Sequence, residues 1–295
     1  MKRNSAKAGM LAAMSIFGTV GIFVRYIPMA SAPIAFFRGL VGFLFLLAVM
    51  ALSGKKPDRQ SIRENGKILL LSGAAIGANW ILLFEAYRYT TVATATICYY
   101  LAPMLLVLAS PFLGEKLTGK KLALSGLAML GMVFVSGVLR GSVSGGRGIL
   151  CGVGAAVLYA TAMFLNKKLD GVSSYDRTVV QLGAAAAVIL PYCLLSGGFD
   201  LSGMAFGGYL ALGVVCVVHT GLAYWLYFGS MKQLPAQTVA IFSYLDPVIA
   251  ILLSALWLSE PIGWQETVGA MLILGSALIS EMPMQKSGGN FAKKG

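Results

Sequence analysis

The chain has 295 residues, 58% of them hydrophobic and only 12% charged, with a mean hydropathy of +0.80, which excludes a water-soluble domain. Apolar segments of about 20 residues, each roughly 30 Å long as a helix, recur about ten times, and no two-residue alternation supports a barrel. The net charge of +12 invites a nucleic-acid partner, but its distribution argues against one.

The basic residues alternate between loops. With a cytoplasmic N-terminus, one side collects 18 of the 23 lysines and arginines, including Lys55, Lys56, Arg59, Lys116, Lys167, Arg177 and Lys232. The other keeps Arg25, Arg88, Arg140 and Arg147, and Arg38 falls inside a span. The positive-inside rule therefore predicts cytoplasmic termini and a multi-pass protein of the plasma (inner) membrane, with the bilayer and not a polyanion as its macromolecular partner. Cys98, Cys151, Cys193 and Cys216 lie in apolar stretches, and His219 is the sole histidine. Neither a metal site nor a cofactor is expected from them.

The first expected span, 7–27, starts with basic residues and precedes Ala30-Ser31-Ala32, which mimics a signal peptide. The internal repeat described below needs it as a helix instead. In the second, 30–53, Arg38 either snorkels toward the outer surface or faces the interior. Residues 54–66 form a basic loop expected to be a solvated connection only.

The third span, 67–88, carries Asn79 and Trp80 at mid-depth and Glu85 near the outer end. Asn79 either bonds a neighbouring helix or lines a site. Trp80, far from the interfacial aromatic belt, reads as a cavity wall.

The fourth, 90–113, ends in Gly114-Glu115-Lys116-Leu117-Thr118, where Glu115 reads as structural; the fifth spans 121–139. The Gly- and Ser-rich stretch 140–148 reads as an external linker. Tyr159 and Asn166 lie in the sixth span, 149–169, and Gln181 and Pro191 in the seventh, 178–196.

The eighth, 206–231, holds His219, Tyr224 and Trp225. His219 is either a bonded core residue or a functional group at the depth of Asp246. The tenth span, 264–282, precedes a basic tail, 283–295. GxxxG spacings at Gly73/Gly77, Gly148/Gly152 and Gly203/Gly207 imply close helix packing.

The ninth span, 234–258, contains Ser243-Tyr244-Leu245-Asp246-Pro247. A carboxylate at mid-membrane costs roughly 2.5 to 3.5 kcal/mol on insertion scales, which marks Asp246 as a candidate functional group. Pro247 has no N–H to return to the helix, and a bend is expected there. Tyr100-Leu101-Ala102-Pro103 repeats the pattern 144 residues earlier (244 − 100). Over 77–110 that shift gives ten identities in 34 positions, among them Gly77 with Gly221, Tyr100 with Tyr244 and Pro103 with Pro247. Five spans per copy is an odd number, so the copies enter the membrane from opposite sides. The expected fold is therefore an all-α polytopic membrane protein of ten transmembrane helices in two inverted five-helix repeats, 1–139 and 149–282, with Pro103 and Pro247 as hinges near a midplane site.

These features, with GEKLT after the fourth span and SEPIG after the ninth, resemble the drug/metabolite transporter superfamily, EamA type, over residues 7–282. The resemblance implies a pathway lined mainly by spans one, three, four, six, eight and nine, and carriage of small metabolites, often amino acids or related compounds. Gln181 stands where a second arginine would answer Arg38.

The expected site has walls of Trp80, Tyr100, Tyr159, Tyr224, Trp225 and Tyr244, with Asn79, Arg38, His219 and Asp246 as orienting polar groups. Asp246 is the first candidate for proton coupling, ahead of Glu85 and His219; the alternative is a permanently bonded Asp246 that only holds its helix. The expected function is a secondary transporter exporting a small metabolite by alternating access, as a monomer or weak homodimer. A gradient-independent facilitator, or an uptake carrier for amines or nucleosides, is the alternative. A membrane-embedded enzyme lacks its GxSxG, HExxH or nucleotide loop here, and a scaffold has no use for an inverted repeat.

Overall fold

A computed structural model of the chain describes residues 3–54, 56–90, 92–135, 138–140, 145–201, 203–258 and 263–281. The described residues are predominantly helical, with short connections and no strand among them, because apolar backbone in a bilayer must satisfy its own hydrogen bonds. Seven helical segments, counting Thr94–Leu113 and Phe206–Met231 through their interruptions, are long and apolar enough to cross a membrane, and shorter apolar helices complete the set. Linker residues 141–144, Ser259 to Ile262 of the SEPIG stretch, and the tail lie outside the described residues.

The first repeat runs through α1 (Arg3–Val24), α2 (Ser31–Leu52), a short α3 (Arg59–Glu64), α4 (Gly66–Tyr89), α5 (Val92–Tyr99), α6 (Leu101–Ala109) and α7 (Gly119–Val135). The second runs through α8 (Gly146–Lys168), α9 (Ser174–Leu195), α10 (Phe206–Cys216), α11 (Ala223–Met231), α12 (Ala236–Phe242), α13 (Leu245–Leu258) and α14 (Trp264–Glu281).

Two expectations about local structure need correction. The basic loop is not wholly irregular, because Asp58 accepts from the Ser61 N–H at 3.1 Å and starts α3. Nor are the fourth and ninth spans single helices bent at their prolines. Each is cut in two, at Tyr100 and at Ser243-Tyr244. Pro103 and Pro247 sit at the third position of the helices that follow, in a first turn whose N–H groups have no helical acceptor, so proline is tolerated there.

Small residues let the halves approach. A Cβ on Gly73 of α4 would lie 2.7 Å from the Gln181 carbonyl of α9, and one on Gly131 of α7 would lie 2.7 Å from the Gly269 carbonyl of α14. The Gly203/Gly207 spacing, by contrast, packs against nothing: neither glycine has a neighbour within 4 Å of an added Cβ. α10 and α11 are joined by one turn of π-helix, Val217–Leu222, which carries His219 and Thr220.

The lysine-bearing loops gather at one end. Asn65 Nδ2 donates to the Asp170 carbonyl and Ser61 Oγ to the Gly171 carbonyl, both at 3.2 Å.

Candidate functional site

The two breaks meet. The Tyr100 hydroxyl, at the end of α5, donates to Asp246 Oδ1 at 2.5 Å, and the Tyr244 hydroxyl donates to the Tyr100 carbonyl at 3.0 Å. Their rings stack at 6.1 Å. Equivalent tyrosines of the two repeats are thus locked to one another where both spans lose helical continuity. The Tyr100 carbonyl, at the N-cap of α6, accepts this bond on a lone pair beyond the one its own helix can use. Asp246 is partly buried, and Gly18 of α1 backs onto its carbonyl, 2.8 Å from where a Cβ would sit.

An aromatic cluster extends from this point. Tyr159 of α8 stacks face to face on Tyr99 at 5.2 Å and donates to the Tyr227 hydroxyl at 3.1 Å. Tyr224 stands edge-on to Phe17, Trp80 and Phe228 at 5.3, 6.0 and 5.3 Å. Arg38 lies over the Trp80 ring, its Cζ 4.8 Å from the centroid, and its Nε donates to Thr220 Oγ1 at 3.1 Å. Of the two readings of Arg38, these contacts are those of an inward-facing side chain, with the cation held on an aromatic face.

Three other candidates are placed differently from the sequence expectation. His219 does not turn to Asp246: its Nε2 pairs with Thr19 of α1 at 2.6 Å, its Nδ1 with the Val214 carbonyl at 3.3 Å, and Phe23 packs on the ring. The π-turn rotates it toward α1. Trp225 leaves the tyrosine cluster and packs on Tyr175 at 5.0 Å, because it projects about 100° around α11 from Tyr224. Asn79 bonds neither a neighbouring helix nor an open site: its Nδ2 returns to the Ile76 carbonyl of its own turn at 2.7 Å, and its Oδ1 is buried without a partner.

Glu85 stands apart from all of these. It accepts from the Tyr192 hydroxyl of α9 and pairs with Arg88 at 3.0 Å. Its partners Arg88 and Tyr192 border a cavity of ≈ 990 Å³ at the end of the molecule opposite the lysine-bearing loops, walled also by Pro28 to Pro33, Phe84, Tyr87, Leu195 and Asp200.

The lysine-bearing end is closed by polar contacts across the repeats. Both Glu115 oxygens accept from the Ala236 N–H, at 2.9 and 2.7 Å, and Lys167 Nζ lies 3.1 Å from Glu115. Lys167 also donates to the Leu234 carbonyl at 2.5 Å, and Lys232 bridges to Asp170 at 2.5 Å. Outside the spans, the Lys232 bond and charge hold the Asp170 carboxyl below its ordinary range.

Sequence reasoning missed Tyr99, Tyr227, Thr220 and Tyr192. Tyr227 was within reach, since it follows Tyr224 by three residues and shares its helix face. Tyr192 was not, because its partner Glu85 is 107 residues away.

Inverted helical repeats joined at two broken spans, with a cavity at one end and a polar closure at the other, define a membrane carrier. The EamA-like transporter family model matches residues 5–137 and 146–282, and the chain belongs to that family. It is a multi-pass membrane transporter, not an enzyme.

It is 30% identical over 283 residues to a protein named uncharacterized transporter YxxF from Bacillus subtilis (strain 168), covering 94% of this chain and 90% of that one. It is 24% identical over 281 residues to protein RarD of Salmonella typhi, covering 91% and 92%. One solved structure superposes with a TM-score of 0.85 at 19% identity, covering 95% of this chain and 97% of the other, a likeness of fold alone.

Proposed function

We propose that this transporter exports a small polar or amphipathic metabolite, an amino acid or related compound, across the plasma membrane by alternating access, and that Asp246 couples it to protons. The carrying observation is the 2.5 Å bond from Tyr100 to Asp246, which ties the break of one repeat to that of the other.

An ionised carboxylate only accepts hydrogen bonds, whereas a protonated one also donates. Proton binding therefore changes the bond that holds the two breaks together. A proton that favours one arrangement of the repeats over the other shifts their populations, and that difference couples the gradient to movement of the solute.

The cavity bordered by Arg88 and Tyr192 supports an outer vestibule, and the Glu115, Lys167 and Lys232 contacts support a closed cytoplasmic side. The loop charges support cytoplasmic termini. In this reading residues 1–139 and 149–282 are the moving halves and 140–148 is an external linker. Arg38, Trp80, Tyr100, Tyr159, Tyr224 and Tyr244 line the solute's path, and Trp225, His219 and Asn79 support it from behind.

Proteoliposomes with an imposed pH gradient and a panel of radiolabelled amino acids test the proposal. Wild-type protein is expected to accumulate at least one of them. Asp246→Asn, which keeps shape but cannot titrate, is expected to exchange the same solute without accumulating it. Accumulation by the variant that still follows pH would remove Asp246 from the coupling role, and flux confined to amines or nucleosides would replace the substrate class.

A further inference from the structure

Arg177 counted in the sequence as one of many solvated cytoplasmic charges. In the structure it lies in the first turn of α9 and is only 3% exposed. Its Nη1 donates to the Phe228 carbonyl of α11 at 3.1 Å, and Nε is buried without a partner. Among the described residues no carboxylate pairs with it. The acids of this end make their hydrogen bonds elsewhere, Asp170 with Lys232 while acting on Arg177 only through space, Glu115 with Lys167 and the Ala236 N–H, and Asp176 with Ser173 through Oδ2 at 2.9 Å, its Oδ1 buried without a partner. A guanidinium taken out of water is costly unless paired.

The neighbourhood repeats the imbalance. Trp225, one turn before Phe228 on α11, has a buried Nε1–H with no acceptor. Gln181, one turn after Arg177 on α9, spends both printed bonds through Nε2, on Ser72 Oγ at 2.6 Å and Asn166 Oδ1 at 3.0 Å, and its Oε1 is unmatched. Lys232, one turn beyond Phe228 on the same helix, bridges to Asp170 and to the Lys167 carbonyl, at 2.5 and 3.1 Å.

We infer that Arg177 is an anion-recognition residue on the cytoplasmic limb of the pathway, where it receives the carboxylate of the transported solute. The Nη1 bond to Phe228 fixes the guanidinium plane and leaves its other edge, Nε with Nη2, which fits a planar carboxylate side-on through two parallel bonds. When the Lys232 to Asp170 bridge opens, this edge meets cytoplasmic solute, and in the closed state the Phe228 carbonyl alone keeps it in place. The inference rests on the transporter reading and narrows the solute to one bearing a carboxylate.

The test is a melting-temperature panel on purified full-length protein, with the amino acids, acetate, lactate and benzoate at millimolar concentration, each compared with its amide. At least one carboxylate is expected to stabilise the wild type while its amide does not. Arg177→Lys keeps a donor for Phe228 but has no planar fork, so it is expected to melt near wild type without ligand and to bind that carboxylate on the order of 30-fold more weakly or worse.

Arg177→Gln is the harsher variant, and if it fails to fold the lysine variant still decides. Amides that stabilise equally, an Arg177→Lys protein of unchanged affinity, or a panel in which no carboxylate binds would each overturn the assignment. Carboxylate binding that depends on Arg177 in a protein whose proteoliposomes carry no flux would leave the site standing and remove the transporter reading.

Discussion

In the four residues from tyrosine to proline the fourth and ninth spans share tyrosine, leucine and proline and differ at one position, Ala102 against Asp246. Ala102 is fully buried and packs with Ala156 and Ala160 of α8, with Leu101, Leu105 and the Tyr159 ring against them. Asp246 is partly exposed and takes its hydrogen bond from the tyrosine of the opposite repeat. Tyr244, which has no carboxylate to meet in the first repeat, bonds the Tyr100 carbonyl instead. The shared residues set the geometry of both breaks, and the single divergence gives only one of them titratable chemistry.

Exchanging the distinguishing residue is the severest way to break this comparison. Ala102→Asp places a carboxylate in this tightly packed apolar cluster, where the nearby Tyr159 hydroxyl is already spent on Tyr227, and is expected to destabilise by roughly 3 kcal/mol, or to abolish folding. Thermal melting in detergent reads it, and an unchanged melting temperature would mean that the alanine contact is wet.

The tyrosines sharpen the comparison. Tyr100→Phe removes a bond to a group that ionises and is expected to cost about 1.5 to 3 kcal/mol, whereas Tyr244→Phe removes a neutral one and should cost about 0.5 to 1.5 kcal/mol. Equal losses in denaturant titrations would argue that Asp246 carries no charge when bonded.

The prolines are expected to be alike. Pro103→Ala and Pro247→Ala each restore an N–H in a first turn and free the unfolded chain, at about 0.4 to 1 kcal/mol apiece. A large difference between them would show that the breaks are not equivalent.

The smallest effect belongs to a control away from both breaks. The Asp170 carboxyl is held below its ordinary range by Lys232, so its contribution is present above the unfolded value, near 4, and disappears as pH falls through the lower folded value. Asp170→Asn should therefore lower the melting temperature slightly at neutral pH and match wild type in strong acid. A difference that instead grew on acidification would contradict the assigned bridge.

Much of the fold was legible because the bilayer imposes a length and a composition on every span, and apolar runs report both directly. The repeat was legible too, since identities at a fixed spacing survive in residues that shape a backbone, such as Gly77, Tyr100 and Pro103. The chemistry at Asp246 stood out for the same reason: a carboxylate in an apolar run has few permitted explanations.

What the linear pattern left open were the partners. Nothing near Arg177 in sequence indicated that α9 would begin deep enough to bury it against Phe228, or that the π-turn would swing His219 to Thr19 and leave Asp246 to Tyr100. Prolines 103 and 247 announced interrupted helices, but a bend and a break have the same sequence. The choice fell to contacts more than 140 residues apart, between Tyr100, Asp246 and Tyr244. Composition and periodicity determine which segments enter the membrane. Where each side chain finds its hydrogen bond there depends on how the segments turn and how closely small residues let them approach, which only the packed tertiary structure decides.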